Sequence, residues 1–264
     1  MIKLLNANFY RLKKSMCFWI LMIVMAFLGI YIYDNYNSLN CVGCDYNRLG
    51  EVIFVFAGFI CILLPIFITL FIGTEYSDGG IRNKIIKGHT RTNIYLANLL
   101  TCIIVSIIYS IIYIIFSSIM GLIWGNHIAI PQDIFLVLIL DVIMLNIFTS
   151  SLFTFITMSL SNKTSASIIS FATVVWSLMI SSNLSSKISQ STGIFKTIYQ
   201  FFLNIIPYGQ AYQIMDCANA MHEGASINII DPTNQYQTLW LFSLCFIIII
   251  NFYGIMIINK KQLN

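Results

Sequence analysis

"IFVFAGFICILLPIFITLFI", residues 53–72, runs for twenty residues without a charge. At about 1.5 Å of rise per residue, a helix of that length crosses a hydrocarbon core of ~30 Å. The run is continuously apolar, not alternating, so it reads as a membrane helix and not as a barrel strand. The adjoining stretch is the opposite in character: "GTEYSDGGIRNKIIKGHTRTNIY", residues 73–95. Between positions 74 and 93 stand four basic residues, two acids, His89 and three glycines. The sequence then returns to long apolar runs.

The same contrast governs the whole chain. It has 264 residues, 58% of them hydrophobic and only 9% charged, with a mean hydropathy of +0.84. A soluble domain averages roughly 45–50% apolar and about 25% charged. Six runs are long and apolar enough to be spans: 16–33, 53–72, 96–124, 134–160, 165–182 and 238–258. The third and fourth are long enough to tilt or to extend past the bilayer. The fifth is the weakest, because serines and threonines dilute it. The expected fold class is therefore an all-α polytopic membrane protein, a single transmembrane domain over residues 1–264.

Basic residues set the expected orientation, because Lys and Arg favour the cytoplasmic side of short loops. Lys3, Arg11, Lys13, Lys14, Arg82, Lys84, Lys87, Arg91, Lys163, Lys260 and Lys261 all fall on one side. Only Arg48, Lys187 and Lys196 fall on the other. Of the ten acids, Glu75 and Asp78 share the basic side, seven lie opposite, and Asp141 falls inside the fourth span. Both termini and the 74–93 loop are thus expected in the cytoplasm of a cell membrane protein. The net charge of +4 is accounted for by this topology and calls for no nucleic acid. The first run is too long for a typical signal-peptide core, and no small-residue cleavage site comes after it.

Outside the spans, three segments have a pattern. Ile2, Leu5, Phe9, Leu12 and Met16 form one apolar stripe, and the basic residues beside it predict an interfacial helix over 1–15. The external segment 183–237 is too long to be structureless. Its mostly apolar 194–206 is too short to span, which predicts a re-entrant or interfacial helix, and a second short helix is expected over 210–221. In the polar loop, Asp78 is expected to cap a helix over 79–87 that ends at Gly88, and Thr90 or Thr92 to cap the next helix. A helix that short must rest against something. One side can lie on the ends of the membrane helices while the other, basic side points into the cytoplasm.

Catalytic motifs are absent from the sequence. There is no G-x-x-x-x-G-K-[ST] phosphate loop, no H-E-x-x-H and no G-x-S-x-G. His89, His127 and His222 are far apart, and Asp141 is a lone intramembrane acid with Asn146 as a partner one turn and a little further on. Its expected role is structural or snorkelling ahead of a proton relay. Cys41 and Cys44 form a C-x-x-C in the first external loop, open to a disulfide or to free thiols. Two further zinc ligands are not near them in sequence.

The order "EYSDGGIRNKIIKGHTRTNIYLANLL", residues 75–100, resembles the loop between spans two and three of bacterial ABC-2 type transporter permeases. The similarity is to the six-span permeases associated with peptide-antibiotic immunity and drug resistance. Gly80 departs from it, standing where many relatives carry Thr. The resemblance implies that the loop is a coupling helix seated in a cleft of a separate ATP-binding subunit. Glu75, Asp78, Gly79, Ile81, Arg82, Lys84, Ile85, Lys87, Gly88 and Arg91 would form that coupling interface. It also implies a full transporter of two permeases and two ATPases, in which ATP and Mg are bound by the partner and the chain itself is no enzyme. Spans two and five would line a path, with Thr69, Thr173, Trp176 and Ser177, and more distantly Asp141, as path residues. By family analogy the substrate is an antimicrobial peptide or a hydrophobic drug. A secondary carrier would instead show internal repeats and charged or broken midplane helices, and neither is present beyond Asp141. A membrane scaffold or sensor subunit is the alternative outside transport.

Overall fold

The computed structural model describes residues 1–38, 49–126, 128, 130–160, 162–222 and 236–260. Cys41 and Cys44 lie outside the described residues, as do His127 and the stretch 223–235. Among the described residues the fold is entirely helical. In chain order the helices are α1 (Ile2–Lys14), α2 (Met16–Ser38), α3 (Leu49–Ser77), α4 (Gly80–Ile86), α5 (Arg91–Ile123), α6 (Gln132–Ser159), α7 (Lys163–Gln190), α8 (Ile194–Ile205), α9 (Pro207–His222) and α10 (Tyr236–Lys260). Six of them, α2, α3, α5, α6, α7 and α10, are long and apolar enough to cross a membrane. They outrun the apolar runs that announced them: α7 continues to Gln190, well past the serine-diluted run that ends at 182.

α3 is the central helix, in contact with α2, α5, α6, α7 and α9. Its apolar residues go all the way round, and a helix with no polar face has to be enclosed on every side. In its most apolar stretch 78% of the residues are buried, against 17% for α10. α10 packs along α6, where Asn251 donates to Ser151 (Nδ2 to Oγ, 3.2 Å) and accepts from Tyr95 of α5 (2.9 Å). Such hydrogen bonds join membrane helices where burial in lipid supplies little driving force between them.

The alternation of the spans brings the ends of α3, α6 and α10 together with the start of α5 at one end of the bundle. Tyr76 at the end of α3 donates to the Met158 carbonyl at the end of α6 (2.9 Å). Arg91 at the start of α5 donates to the Ile258 and Asn259 carbonyls at the end of α10 (3.3 and 3.4 Å), a cation against a helix C-terminus. α1 and α4 lie at this same end. At the other end Tyr33 of α2 meets Asn126 just beyond α5, and the Tyr113 hydroxyl donates to the Val52 carbonyl near the start of α3 (3.1 Å).

α8 and α9 stand where the sequence predicts two short helices. The chain turns at Ile206, and Pro207 opens α9, where its missing N–H costs nothing. α9 packs against α3 so closely that a Cβ on Gly58 would meet the Met215 sulfur at 3.3 Å. Gln210 of α9 accepts from Ser243 of α10 (2.8 Å), and both are buried. Cys217 is a buried free thiol on this helix. Burial, with Asp216 and Asp141 nearby, pushes it up to about 12, so it stays protonated and inert near neutral pH.

The inward face of α1 overlaps its apolar stripe only in part: Leu12 is in the core and Leu5 and Phe9 pack against it. Leu4, Asn8 and Leu12 are buried, while Ile2 and Met16 are 75% and 79% exposed. The buried face is rotated from the stripe toward Leu4 and Asn8, because Asn98, Thr101 and Lys84 hold the polar Asn8 inside.

Candidate functional site: a buried ionic node beneath a short exposed helix

The loop between α3 and α5 is built by its glycines. Gly79 has φ 67°, a left-handed conformation open to glycine at little cost, and it occupies the N-cap of α4. Asp78, expected from sequence to cap this helix, does not; its carboxylate accepts from Ser77 (3.2 Å) and is exposed. Gly80 lies against Glu75: a Cβ there would come within 3.0 Å of Glu75 Cγ and 3.2 Å of its carbonyl oxygen. The departure to glycine at position 80 thus goes with a close approach. At the other end Gly88 has φ 84°, its N–H donates to the Ile85 carbonyl (2.9 Å), and the His89 N–H donates to the Lys84 carbonyl (3.2 Å). These two bonds are the Schellman closure of a helix C-terminus. The Thr90 hydroxyl then accepts from the Asn93 N–H (3.3 Å) and caps α5.

Glu75 is the centre of the site. It is 2% exposed, and two cations reach it: Arg11 of α1 at 2.9 Å and Lys84 of α4. Asn98 of α5 donates to its Oε2 (3.1 Å). Asn8 of α1 donates to Asn98 Oδ1 (2.7 Å) and to Thr101 (3.2 Å), and its own Oδ1 accepts from Lys84 (2.9 Å). Arg11 also donates to the Phe71 carbonyl (2.8 Å) and lies over the Phe71 ring at 4.6 Å. A buried carboxylate is tolerable only when paired and hydrogen-bonded in this way. The node thereby ties four helices, α1, α3, α4 and α5, through one anion.

α4 consequently has two distinct faces. Ile81 is 4% exposed, and with Ile85 it lines a small apolar pocket shared with Ile94, Met158 and Ile258. Both isoleucines, expected from sequence to lie on a docking face, point toward the chain's own helices. Glu75, Lys84 and Arg91 are turned inward as well. Arg82, Lys87 and Gly88 are exposed. With them on the outer face are two residues that the sequence reading overlooked, Asn83 and Ile86, and Ile86 is 74% exposed. At about 100° per residue, positions 82, 83 and 86 lie opposite 81, 84 and 85. That signal is present in the sequence and singles out Ile86 as the apolar residue on the basic face.

A sequence model for a family described as "ABC-2 family transporter protein" matches residues 4–181 of the chain, well over half of its length. The chain belongs to the ABC-2 transporter family. The match begins in α1, takes in the Glu75 node and α4, and ends within α7. No curated protein and no solved structure matches the chain. It is therefore an ABC-2 family membrane protein with multiple spans.

The residues expected along a path are only partly brought together. A groove of about 220 Å³ runs between α3 and α7, lined by Pro65, Thr69, Ser167 and Ser170 among others. Thr69 is thus at the α3–α7 seam, although its hydroxyl is turned back on its own helix, to the Pro65 carbonyl (2.8 Å). Thr173 and Ser177 likewise donate to carbonyls of α7, and Trp176 is 68% exposed. Asp141 is elsewhere: it is buried on α6, near Cys217 and the backbone of Trp240. Asn146 donates not to Asp141 but to Ser110 of α5 (3.1 Å).

Proposed function

We propose that this chain is the membrane-spanning permease subunit of an ATP-driven exporter, and that α4 is the helix on which a separate ATP-binding subunit docks. α4, the termini and the Glu75 node face the cytoplasm in this reading, as the eleven-to-three distribution of basic residues favours. The observation that carries it is the division of α4 into two faces. Its inner face is anchored by a buried ion pair and two isoleucines. Its outer face offers Arg82, Asn83, Lys87 and one large exposed apolar residue, Ile86. An exposed apolar anchor ringed by polar groups is the usual composition of a protein contact.

The node explains how a push on α4 would reach the membrane. Lys84 contacts both Glu75 and Asn8, so displacing α4 displaces α3 and α1 together. ATP and Mg belong to the partner subunit, since the chain has no phosphate loop of its own. A second permease completes the pathway, and the α3–α7 groove containing Thr69 is the part of the surface most suited to line it. The substrate class favoured is a hydrophobic or amphipathic molecule, an antimicrobial peptide or a drug. Carrier chemistry is not favoured, because apart from Asp141 the charged residues lie toward the two ends of the spans and not at their middle.

Ile86→Asp tests the reading. It changes an exposed side chain, so the level of the protein in the membrane should be unchanged. Co-purification of the ATP-binding subunit should fall at least tenfold, which requires only about 1.4 kcal/mol. Ile81→Asp should behave in the opposite way: it places a charge in a buried site and should lower the protein level itself. Normal ATPase capture by Ile86→Asp would remove α4 as the docking element.

A further inference from the structure

We propose that the groove between α1 and the adjoining end of α3 binds the headgroup of an anionic phospholipid. The groove is a cavity of about 470 Å³ bounded by Tyr10, Arg11 and Lys14 on one side and by Leu70, Thr74 and Asp78 on the other. It lies at the turn where α1 gives way to α2, and its walls change character along its depth. Leu70, Phe71 and Cys17 make the part nearest the spans apolar. Arg11, Lys14, Ser15 and Thr74 make the part nearest the helix ends cationic and hydroxylic. A cavity graded from apolar to cationic over one helical turn matches the junction of a lipid's acyl chains with its phosphate.

The surroundings agree. Met16, Trp19 and Ile20 beside the turn are exposed, as residues facing lipid would be. The Trp19 indole donates to the Lys13 carbonyl (3.0 Å) and pins the turn, with the ring at the level where tryptophans favour the membrane interface. Lys14 is the free cation of the groove: its Nζ lies over the Tyr10 ring at 4.6 Å, and it makes no ion pair among the described residues. Arg11 is the second cation, already shared between Glu75 and the Phe71 carbonyl. Asp78, an exposed residue of the groove wall, opposes any anion there. A lipid phosphate offsets that repulsion by burying its acyl chains against Leu70, Phe71 and Cys17, which a free anion cannot do, and this favours a bilayer lipid as the source. Because Arg11 borders both the groove and Glu75, a bound phosphate would draw on the same guanidinium that steadies the node beneath α4.

The assignment to the cytoplasmic leaflet rests on the orientation proposed above, but binding itself does not. It is measured on the purified full-length chain in nanodiscs of phosphatidylcholine and phosphatidylglycerol in equal amounts, which expose both leaflets. The lipid retained through detergent extraction is then counted by native mass spectrometry. Phosphatidylglycerol should be enriched on the protein, and Lys14→Ala should lower the enrichment about fivefold, the effect of roughly one basic charge at an anionic surface. Lys14→Arg should keep it. Lys13→Ala removes the neighbouring charge, which does not line the groove, and should also keep it. Equal losses in Lys13→Ala and Lys14→Ala would mean diffuse attraction and overturn the site. So would the absence of any enrichment, the outcome expected if a second copy of the chain covers the groove. Displacement of the lipid by excess inorganic phosphate would show a small-anion site instead. Loss of ATPase capture by Ile86→Asp is read separately, so either idea can fail alone.

Discussion

Removing the charge of Glu75 is the most informative perturbation of the node. Glu75→Gln keeps the shape of the side chain and leaves Lys84 and Arg11 without their anion. Lys84 is only 13% exposed, so the ammonium that loses its partner is largely shielded from water. Breaking a buried pair by removing one partner costs roughly 3–5 kcal/mol. Arg11 is 32% exposed and keeps the Phe71 carbonyl and ring, so its share of the loss is partly recovered by solvent. A net cost of about 2–3 kcal/mol is reasonable on that basis. It should fall on α4 and not on the bundle, because α4 has only seven residues and its inner face rests on Lys84, Ile81 and Ile85. The local opening of α4 should therefore rise about 30- to 100-fold, at ~1.4 kcal/mol per factor of ten. The assay is the labelling rate of a cysteine at the half-buried position Ile85 by a water-soluble maleimide, compared between the native background and Glu75→Gln. Lys84→Met alone should raise the rate similarly, and the double variant should be no worse than either single, since the pair would then be absent as a unit. Unchanged labelling in Glu75→Gln, or strictly additive effects of the two substitutions, would refute the idea that this ion pair holds α4 in place.

Topology, chemistry and packing have consequences of their own. A cysteine replacing the exposed Arg82 should react with an impermeant reagent in permeabilised cells and not in intact ones; ready labelling of intact cells would invert the orientation. The purified chain should show no ATP turnover by itself, and should acquire it only in complex with an ATP-binding subunit; turnover by the chain alone, surviving removal of contaminants, would contradict the assignment. Gly209→Ala should lower the apparent melting temperature in detergent, because a Cβ there would lie 2.3 Å from the Leu203 carbonyl oxygen. An overpacking cost of ~1–3 kcal/mol is expected at such a site, and an unshifted melting curve would mean that the α8–α9 turn is not held as described.

Much of the protein was legible from its residues because membrane folding is severe about local composition. A span must be continuously apolar, and its backbone must satisfy itself within the helix, so 53–72 announces α3 without reference to any neighbour. The glycine closure at Gly88 and the Thr90 cap are equally local, set by backbone conformation and by a hydroxyl three residues from its N–H. The apolar character of residues 194–206 similarly marks α8.

What needed the tertiary structure was the facing of each helix and the pairing of its polar residues. Asn8 lies off the apolar stripe of α1, yet it is fully buried, because Asn98, Thr101 and Lys84 converge on it from positions far along the chain. Glu75 and Lys84 look like two more charges in a basic loop, yet their pairing turns them inward. Asp78 is a better N-cap by residue type than Gly79, but the chain reverses so sharply after α3 that a left-handed glycine takes the position. Charge and polarity place a residue on one side of the membrane; whether it meets water or a buried partner depends on which helix ends the six spans bring together. That is why the isoleucine left outside proved to be Ile86, while Ile81 and Ile85 closed against Ile94, Met158 and Ile258.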